Sequence, residues 1–378
     1  MIVFVTNFLN HHQFPLAKEL YELTRGEFRF VELMRMPDAF KKSGYPEYES
    51  TSMLIKAWES PKNKEDANHL ILDADVVLYG YLEDDAIIYQ RLNRNKLTFE
   101  VGERWLKQGF FNLFSPRLIK SQIKYHFFYH DKPLYRLNAS AYASADMQLM
   151  HSFNNKCFKW GYFTEINDLN SELIIEQRRD IHKIKFISIG RLIKWKRHDL
   201  IIKAAKILKQ KDYKFEVNIY GSGGEESNLM RMIMNYDLED RIFLKGNKEN
   251  SFLLNELRCH HACIFPSNRR EGWGAVVNEA MSNACPVIGS HLVGAVPYLI
   301  KDNQNGLVFR SGDHKDLAQK MEMIINDSNL RESLSINAYN TMRNVWSPKC
   351  AARNLLNLVD AILYGKDKIP IEGPCSRC

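Results

Sequence analysis

Residues 185–204 read KFISIGRLIKWKRHDLIIKA, and the order of residue types in this stretch decides the fold class. An apolar, β-rich run ends at Ile189, Gly190 turns the chain, cations fill the loop, and a helix follows from about His198. A strand that passes through a short loop into a helix is the repeating unit of a parallel sheet covered on both faces. The same alternation extends in both directions. Downstream, strands are expected at Glu216–Tyr220, Ile242–Leu244, Cys263–Pro266 and Pro286–Ile288. Upstream they are expected at Ile2–Asn7, Phe28–Leu33, Val76–Tyr81 and Leu97–Val101, with helices such as Phe14–Thr24 and Asp84–Arg94 between them. The class is α/β, in two series of strands that share architecture without an internal sequence repeat.

The 378 residues suit two or three domains, and 45% hydrophobic with 26% charged residues excludes a disordered, collagenous or low-complexity chain. Between the two series the segment EINDLNSELIIEQRRD (165–180) is polar, charged and without a convincing strand, so it is read as a linker. Two open α/β domains on one linker make a cleft, and ligands of such sheets bind outside the carboxyl ends of the strands.

The net charge of +7 is unevenly spread. Arg104, Lys107, Arg117, Lys120, Lys124, Lys132 and Arg136 stand against Asp131 alone, interleaved with Trp105, Phe110, Phe111, Phe114, Tyr125, Phe127, Phe128, Tyr129 and Tyr135. Residues 104–136 therefore suit peripheral contact with an anionic membrane surface, unless the aromatics form the core of the first domain and only the cations are exposed. No nucleic-acid-binding module is recognised, so nucleic acid is not an expected partner. Seven scattered cysteines, two of them in apolar runs, point to reduced thiols and a cytoplasmic protein, with the inner face of the membrane as the place of any peripheral contact. The apolar start MIVFVTNFLN lacks the basic region of a signal peptide, and the charge-free run Ala280–Ile300 is broken by Pro286, Gly289, Gly294 and Pro297.

Chemistry is sought at strand ends. Arg191 can fork two donors onto a phosphate, Lys196 adds a point charge and Gly190 turns the backbone beside them; the alternative is a solvated basic loop. Gly221, Ser222, Gly223 and Gly224 either admit a nucleotide to the backbone or serve only the turn. The richest segment is EGWGAVVNEAM (271–281), with Glu271 and Glu279 eight positions apart. A helix starting near Gly274 would offer free N–H groups to an anion, with Gly272 and Gly274 admitting it closely; alternatively, Glu271 is a helix-start acid and Glu279 half of a structural ion pair. Glu103, Arg104 and Lys107, after the strand at Leu97–Val101, either orient a substrate or cap a helix.

These residues resemble the E-x7-E motif of retaining GT-B glycosyltransferases, the group 1 or family 4 transferases that include sucrose-phosphate synthases and many polysaccharide transferases. The resemblance runs from Lys185 to about Trp346 through GRLIKWKRHDLIIKA, VNIYGSGGEE, IFLKGN, IFPSNRREGWGAVVNEAM, CPVIGS and NGLVFRSGD. It implies two Rossmann-like, doubly wound domains facing across a cleft, an acceptor-side domain at 1–165, a linker at 166–182 and a nucleotide-sugar domain at 183–346. A helix at 347–364 would cross back to the first domain, ahead of a loose tail at 365–378. It further implies a nucleotide-sugar donor, a uridine diphosphate sugar, and a glycan or lipid-linked saccharide acceptor, with retention of configuration.

Under that resemblance Arg191 and Lys196 hold the diphosphate, Glu271 contacts donor-sugar hydroxyls, and these three are the catalytic set. Glu279 takes the ribose hydroxyls, Gly190, Gly272, Trp273 and Gly274 offer backbone, and Gly221, Gly246 and Asn247 border the base. NFLNHHQFPLAKEL (7–20) and KWGYF (159–163) resemble a subset of the family, which puts Asn10 and His11 opposite the donor. Glu103, Arg104 and Lys107 fall on the acceptor side. Trp273 stands where relatives more often carry Phe, and Tyr298 where they often carry an acid. Fixed cations and a helix start can stabilise a leaving diphosphate unaided, so neither metal nor cofactor is expected. The competing reading is a non-catalytic sugar-nucleotide or glycan-binding subunit of a synthesis complex.

Other signals are discounted. Asp73-Ala74-Asp75 precedes its strand and is read as a turn; His126 and His130 are read as packing; Cys259, His260, His261 and Cys263 diverge in direction; and Cys375 with Cys378 lacks a redox context.

Overall fold

The structure, a computed structural model, describes residues 1–42, 45–82, 85–179, 183–365 and 369–378. The chain divides into two compact units, residues 1–165 with 345–378 and residues 166–344. The first unit carries β1 (Ile2–Thr6), β2 (Phe28–Glu32), β3 (Leu54–Lys56), β4 (Val76–Tyr79), β5 (Leu97–Gly102), β6 (Leu134–Asn138) and β7 (Cys157–Lys159). They form one parallel sheet in the order β3-β2-β1-β4-β5-β6-β7. The second unit carries β8 (Ile184–Ile189), β9 (Phe215–Tyr220), β10 (Ile242–Leu244), β11 (Ala262–Phe265), β12 (Val287–Ser290) and β13 (Leu307–Phe309) in the order β10-β9-β8-β11-β12-β13.

Parallel neighbours need crossovers, and helices supply them, so both faces of each sheet are dry and the strands read as apolar runs. In the first unit Val3, Val5 and Val77 pack with Ile71, Leu92 and Met147. In the second, Phe186, Val217 and Ile264 pack with Ile201, Leu208 and Met321. In each sheet the winding reverses once, between β1 and β4 and between β8 and β11. Loops leave the carboxyl ends on opposite sides there, which opens the crevice where doubly wound sheets bind ligands.

Several elements depart from expectation. β3 and β7 have only three residues, too few to show periodicity, and β6 contains Arg136, which reads as exposed. Arg136 is nevertheless buried, because its guanidinium pairs with Glu100, whose other oxygen accepts from the hydroxyls of Tyr79 at 2.9 Å and Tyr125 at 2.5 Å. The expected helix from Asp84 is observed at Ala86–Asn93; Asp84 itself lies outside the described residues. Asp73 ends the helix Pro61–Asp73, and the Ala74 carbonyl accepts from Arg91, a turn before β4.

The segment read as a linker instead contains a helix, Ser171–Arg179, that packs on the second unit; its residues 180–182 lie outside the described residues. Ile174 is buried with Ala284 and Tyr339. Arg178 donates to the carbonyls of Arg258 at 2.8 Å, Ala284 at 2.8 Å and Leu257 at 3.2 Å. The Arg258 and Ala284 carbonyls lie at a helix end and a turn, and that of Leu257 otherwise accepts only a 3.4 Å bond from His260 N–H, so a long, multi-donor guanidinium docks one face of an apparently polar helix.

The tail, expected to be loose, is also anchored. Lys159 N–H donates to the Ser376 carbonyl at 2.8 Å, and Cys375 N–H donates to that of Lys159 at 2.7 Å, so the tail satisfies the open edge of β7. Residues 366–368 of it lie outside the described residues. The helix Pro348–Tyr364 packs on the helix Phe14–Leu23 within the first unit. Among the described residues no helix is long and apolar enough to cross a membrane.

Arg178→Met strands the carbonyls of Arg258 and Ala284 and leaves that of Leu257 with a single 3.4 Å donor. We expect a loss of at least ~2 kcal/mol in urea unfolding, with faster amide exchange concentrated at 171–179.

Candidate functional site

The second unit's site begins with a register. Ile189 pairs with Tyr220, which puts Gly190 beside Gly221 where β8 and β9 end. Gly190 N–H donates to the Tyr220 carbonyl at 2.9 Å, Leu192 N–H to Ser222 at 2.8 Å and Gly221 N–H to Gly246 at 2.9 Å. The loops after β8, β9 and β10 are thus fastened edge to edge. A Cβ on Gly221, whose φ is +140°, would stand 2.0 Å from the Gly190 carbonyl oxygen. The neighbouring backbone therefore requires this glycine, whatever else it serves. Asn247 Nδ2 donates to Ser222 Oγ at 2.8 Å on the same exposed rim.

Across the switch point, Asn268 N–H donates to the Trp195 carbonyl at 2.9 Å, fixing the loop after β11 to the loop after β8. That strap brings Lys196 Nζ to 2.6 Å from Glu271 Oε2, both side chains being largely withdrawn from solvent. Lys196 also lies 4.9 Å from the Phe265 ring centroid. Arg191 differs: exposed, its guanidinium 5.6 Å over the Trp195 ring, it makes no ion pair among the described residues. One cation is held by an acid and a second is open to solvent, both at the carboxyl end of β8.

Trp273 is wholly buried, its Nε1 donating to Asn278 Oδ1 at 2.8 Å and its carbonyl accepting from Ala295 N–H at 3.0 Å, so its indole and its carbonyl are both committed to the core. Gly274, at φ +98°, has no room for a side chain, since a Cβ would meet the Phe265 ring at 2.8 Å. Gly272 is buried beside them. The helix begins at Val276, two residues later than expected, and is seven residues long. Glu279 lies on it, half-buried, and makes no ion pair among the described residues, which removes the structural-pair alternative there. Burial pushes its carboxyl up to about 7, because a carboxylate without a counter-charge is disfavoured away from water.

In the first unit the loop after β1 and the segment 159–163 come together. Phe163 N–H donates to the His12 carbonyl at 3.1 Å, and Tyr162 stacks on His12 with centroids 5.8 Å apart. Asn10 Oδ1 accepts from His12 N–H at 2.9 Å, so it shapes its own turn. The His11 ring lies 4.5 Å from that of Tyr45 and is held below the usual imidazole range by burial. Burial, with His11 adding to it, lowers His12 to about 3.

Glu103 accepts from the Tyr162 hydroxyl at 2.8 Å and pairs with Lys107. Arg104 corrects the sequence reading: it is buried in a 2.9 Å pair with Asp146, whose Oδ2 also accepts from Leu106 N–H at 2.9 Å, and so is committed to the fold. Tyr162 and Asn268 were not singled out by sequence. Tyr162 lies inside the KWGYF signature, which could have drawn attention to it; Asn268 had no signal, since its role is a main-chain contact.

The remaining polar clusters have separate partners. His261 Nδ1 accepts from Lys185 N–H at 3.0 Å, His260 Nε2 meets Asn218 Nδ2 at 3.0 Å, and His126 Nδ1 meets the His151 carbonyl at 3.3 Å.

Residues 171–341 match the family described as glycosyl transferases group 1. Over 175 residues the chain is 26% identical to a poly(ribitol-phosphate) alpha-N-acetylglucosaminyltransferase of Staphylococcus aureus, covering 46% of this chain and 34% of that protein. Over 181 residues it is 28% identical to the capsular polysaccharide biosynthesis glycosyltransferase CapM of Staphylococcus aureus, covering 46% and 45%. The chain thus spans less than half the length of these relatives. Among solved structures, a glycosyltransferase from Rickettsia africae superposes with a TM-score of 0.68 at 16% identity, covering 97% of this chain and 99% of that one. Anabaena HepE, crystallised with UDP and glucose, gives 0.67 at 14%, covering 96% and 100%. These likenesses show the fold, the two Rossmann-like α/β domains of GT-B glycosyltransferases.

Gly221→Ala should force the β8 and β9 loops apart and cost several-fold more stability than Gly246→Ala. The latter meets nothing within 4 Å and bears only the ~1 kcal/mol penalty of its left-handed backbone, as thermal unfolding of both variants would report. For Glu279, the unfolded chain ionises from about pH 4.5 while the folded chain keeps the proton to about 7, so stability falls across that window and stays lowered above it. Glu279→Gln should therefore raise the melting temperature at pH 8 by several degrees and leave it unchanged near pH 4, as calorimetry at both pH values would show.

Proposed function

We propose, from the premise that residues 171–341 belong to the glycosyl transferases group 1 family, that the protein moves a sugar from a uridine diphosphate donor to a glycan or lipid-linked saccharide acceptor. The reaction retains anomeric configuration, needs no metal ion, and serves polysaccharide or glycolipid synthesis on the cytoplasmic side of the membrane. The observation that carries this reading is the Lys196–Glu271 pair beside exposed Arg191 at the switch point of the second sheet. Support for the substrate class comes from the capsular and ribitol-phosphate transferases it resembles and from the UDP and glucose bound by Anabaena HepE.

In this reading the Lys196–Glu271 pair is a resting state. An incoming diphosphate recruits Lys196, and Arg191 closes on it from solvent with a bidentate fork. Glu271, released, accepts from hydroxyls of the donor sugar. Glu279 accepts from the ribose diol, and a group poised near pH 7 becomes ionised when two hydroxyls donate to it. The bond from the anomeric carbon to the phosphate oxygen breaks as the acceptor oxygen bonds to the same face, and the acceptor proton passes to the departing phosphate oxygen. Charge growing on the diphosphate falls on two cations already in place, which is why they raise the rate and not only the affinity. The first unit takes the acceptor through the Glu103–Lys107 pair, while its Asn10 and His11 face the donor.

The test measures binding and slow hydrolysis of a panel of nucleotide-sugars, with and without chelator, for the wild type and for Arg191→Ala, Lys196→Ala and Glu279→Ala. One donor should turn over with chelator present, and each cation variant should lose ~10²-fold or more in kcat. Donor affinity should weaken as pH falls through 7 in the wild type. A trapped glycosyl-enzyme adduct would overturn the same-face step; tight binding with no turnover alongside glycan acceptors would assign a binding subunit; absence of binding would refute the donor site.

A further inference from the structure

Between Glu103 and Asp131 the chain carries no carboxylate, yet its charge is not distributed as the sequence suggests. Arg104 pairs with Asp146, Lys107 with Glu103, Lys124 with Asp85 and Arg136 with Glu100. Arg117 and Lys120 are exposed and make no ion pair among the described residues. The aromatics are inverted in turn. Phe111 is 92% exposed, Phe114 76% and Phe127 69%, while Tyr125 and Tyr129 are buried.

The arrangement is regular. The helix Pro116–Ile123 continues into a wider turn at Lys124–Phe128. Ile119, Ile123 and Phe127 recur every fourth residue, so they share one face, and all three are exposed, whereas Leu118 and Tyr125 face the core. A helix resting on a domain ordinarily turns such a stripe inward. Here the fold shows its apolar stripe to solvent and sets Arg117 and Lys120 beside it.

We propose that residues 110–128 form a docking surface for an anionic lipid leaflet. The rings and isoleucines enter the boundary between headgroups and acyl chains, and Arg117 and Lys120 meet lipid phosphates. Charge selects this occupant over a second copy of the chain: a twofold contact through the same face would bring Arg117 and Lys120 against their own counterparts with no acid to answer them. The inference stands apart from the sugar-transfer reading, since it uses no residue of the nucleotide site.

The experiment is co-sedimentation of the full chain with phosphatidylcholine vesicles, with and without phosphatidylglycerol. It compares the wild type, the triple variant Phe111→Ser/Phe114→Ser/Phe127→Ser and the charge variant Arg117→Glu/Lys120→Glu. The wild type should pellet with the phosphatidylglycerol vesicles and be released by salt. Both variants should lose about tenfold or more in partition at an unchanged melting temperature, since every altered side chain is exposed. Wild type that stays in solution, binds both vesicle types alike, or binds as well after either set of changes overturns the proposal. So does a dimer in light scattering that the triple variant dissolves without any vesicle binding. UDP binding, measured separately, reports on the sugar-transfer reading alone.

Discussion

The register in which β8 lies between β9 and β11 governs the second unit. Pairing Ile189 with Tyr220 sets Gly190 against Gly221, and pairing Cys263 with Ile187 sets the end of β11 on the other side of the same strand end. Everything charged in the site rides on those two alignments: the loop bearing Arg191 and Lys196 comes off one, the loop bearing Glu271 off the other, and Asn268 ties them together. A slip of one residue would turn the strand's apolar side chains over and also carry Lys196 away from Glu271. Packing of the sheet and assembly of the site are therefore one constraint.

Burial is used in two opposite ways around that constraint. Arg178, Arg136 and Arg104 are buried and matched, each by carbonyls or an acid, and serve the fold. Glu279 is half-buried and unmatched by any cation among the described residues, which is costly for a carboxylate and leaves it near neutral pH. The contrast separates structural charge from charge held for a ligand. It also explains why Lys196 and Glu271 tolerate their setting: each neutralises the other until something more strongly anionic arrives.

The first unit shows the same economy of chain. The loop after β1 and the segment 159–163 are far apart in sequence, but β1 and β7 end on the same edge of one parallel sheet, so His12, Tyr162 and Glu103 can join through stacking and a hydroxyl. The tail that closes the edge of β7 fixes Lys159 by two main-chain bonds and so steadies that segment.

Local patterns were enough for the class. Apolar runs of four to six residues punctuated by glycine, then helix, specified parallel sheets, and the blocks from Lys185 to Trp346 carried the resemblance to the family that residues 171–341 match. Motif residues within one short segment, such as Arg191 with Lys196 on a loop or Glu271 with Glu279 across a loop and the helix after it, were legible because their spacing is itself local. What only the tertiary structure decided depends on partners distant in sequence. Arg104 was a candidate until Asp146, 42 residues away, claimed it. The linker was polar until the carbonyls of Leu257, Arg258 and Ala284 made Arg178 a core residue. For 104–136 the sequence left open whether the aromatics were exposed anchors or core; packing divided them, since four acids took up cations, Tyr125 and Tyr129 went inside and Phe111, Phe114 and Phe127 stayed outside. Sequence records which groups carry charge, but only packing determines which of those charges already have a partner.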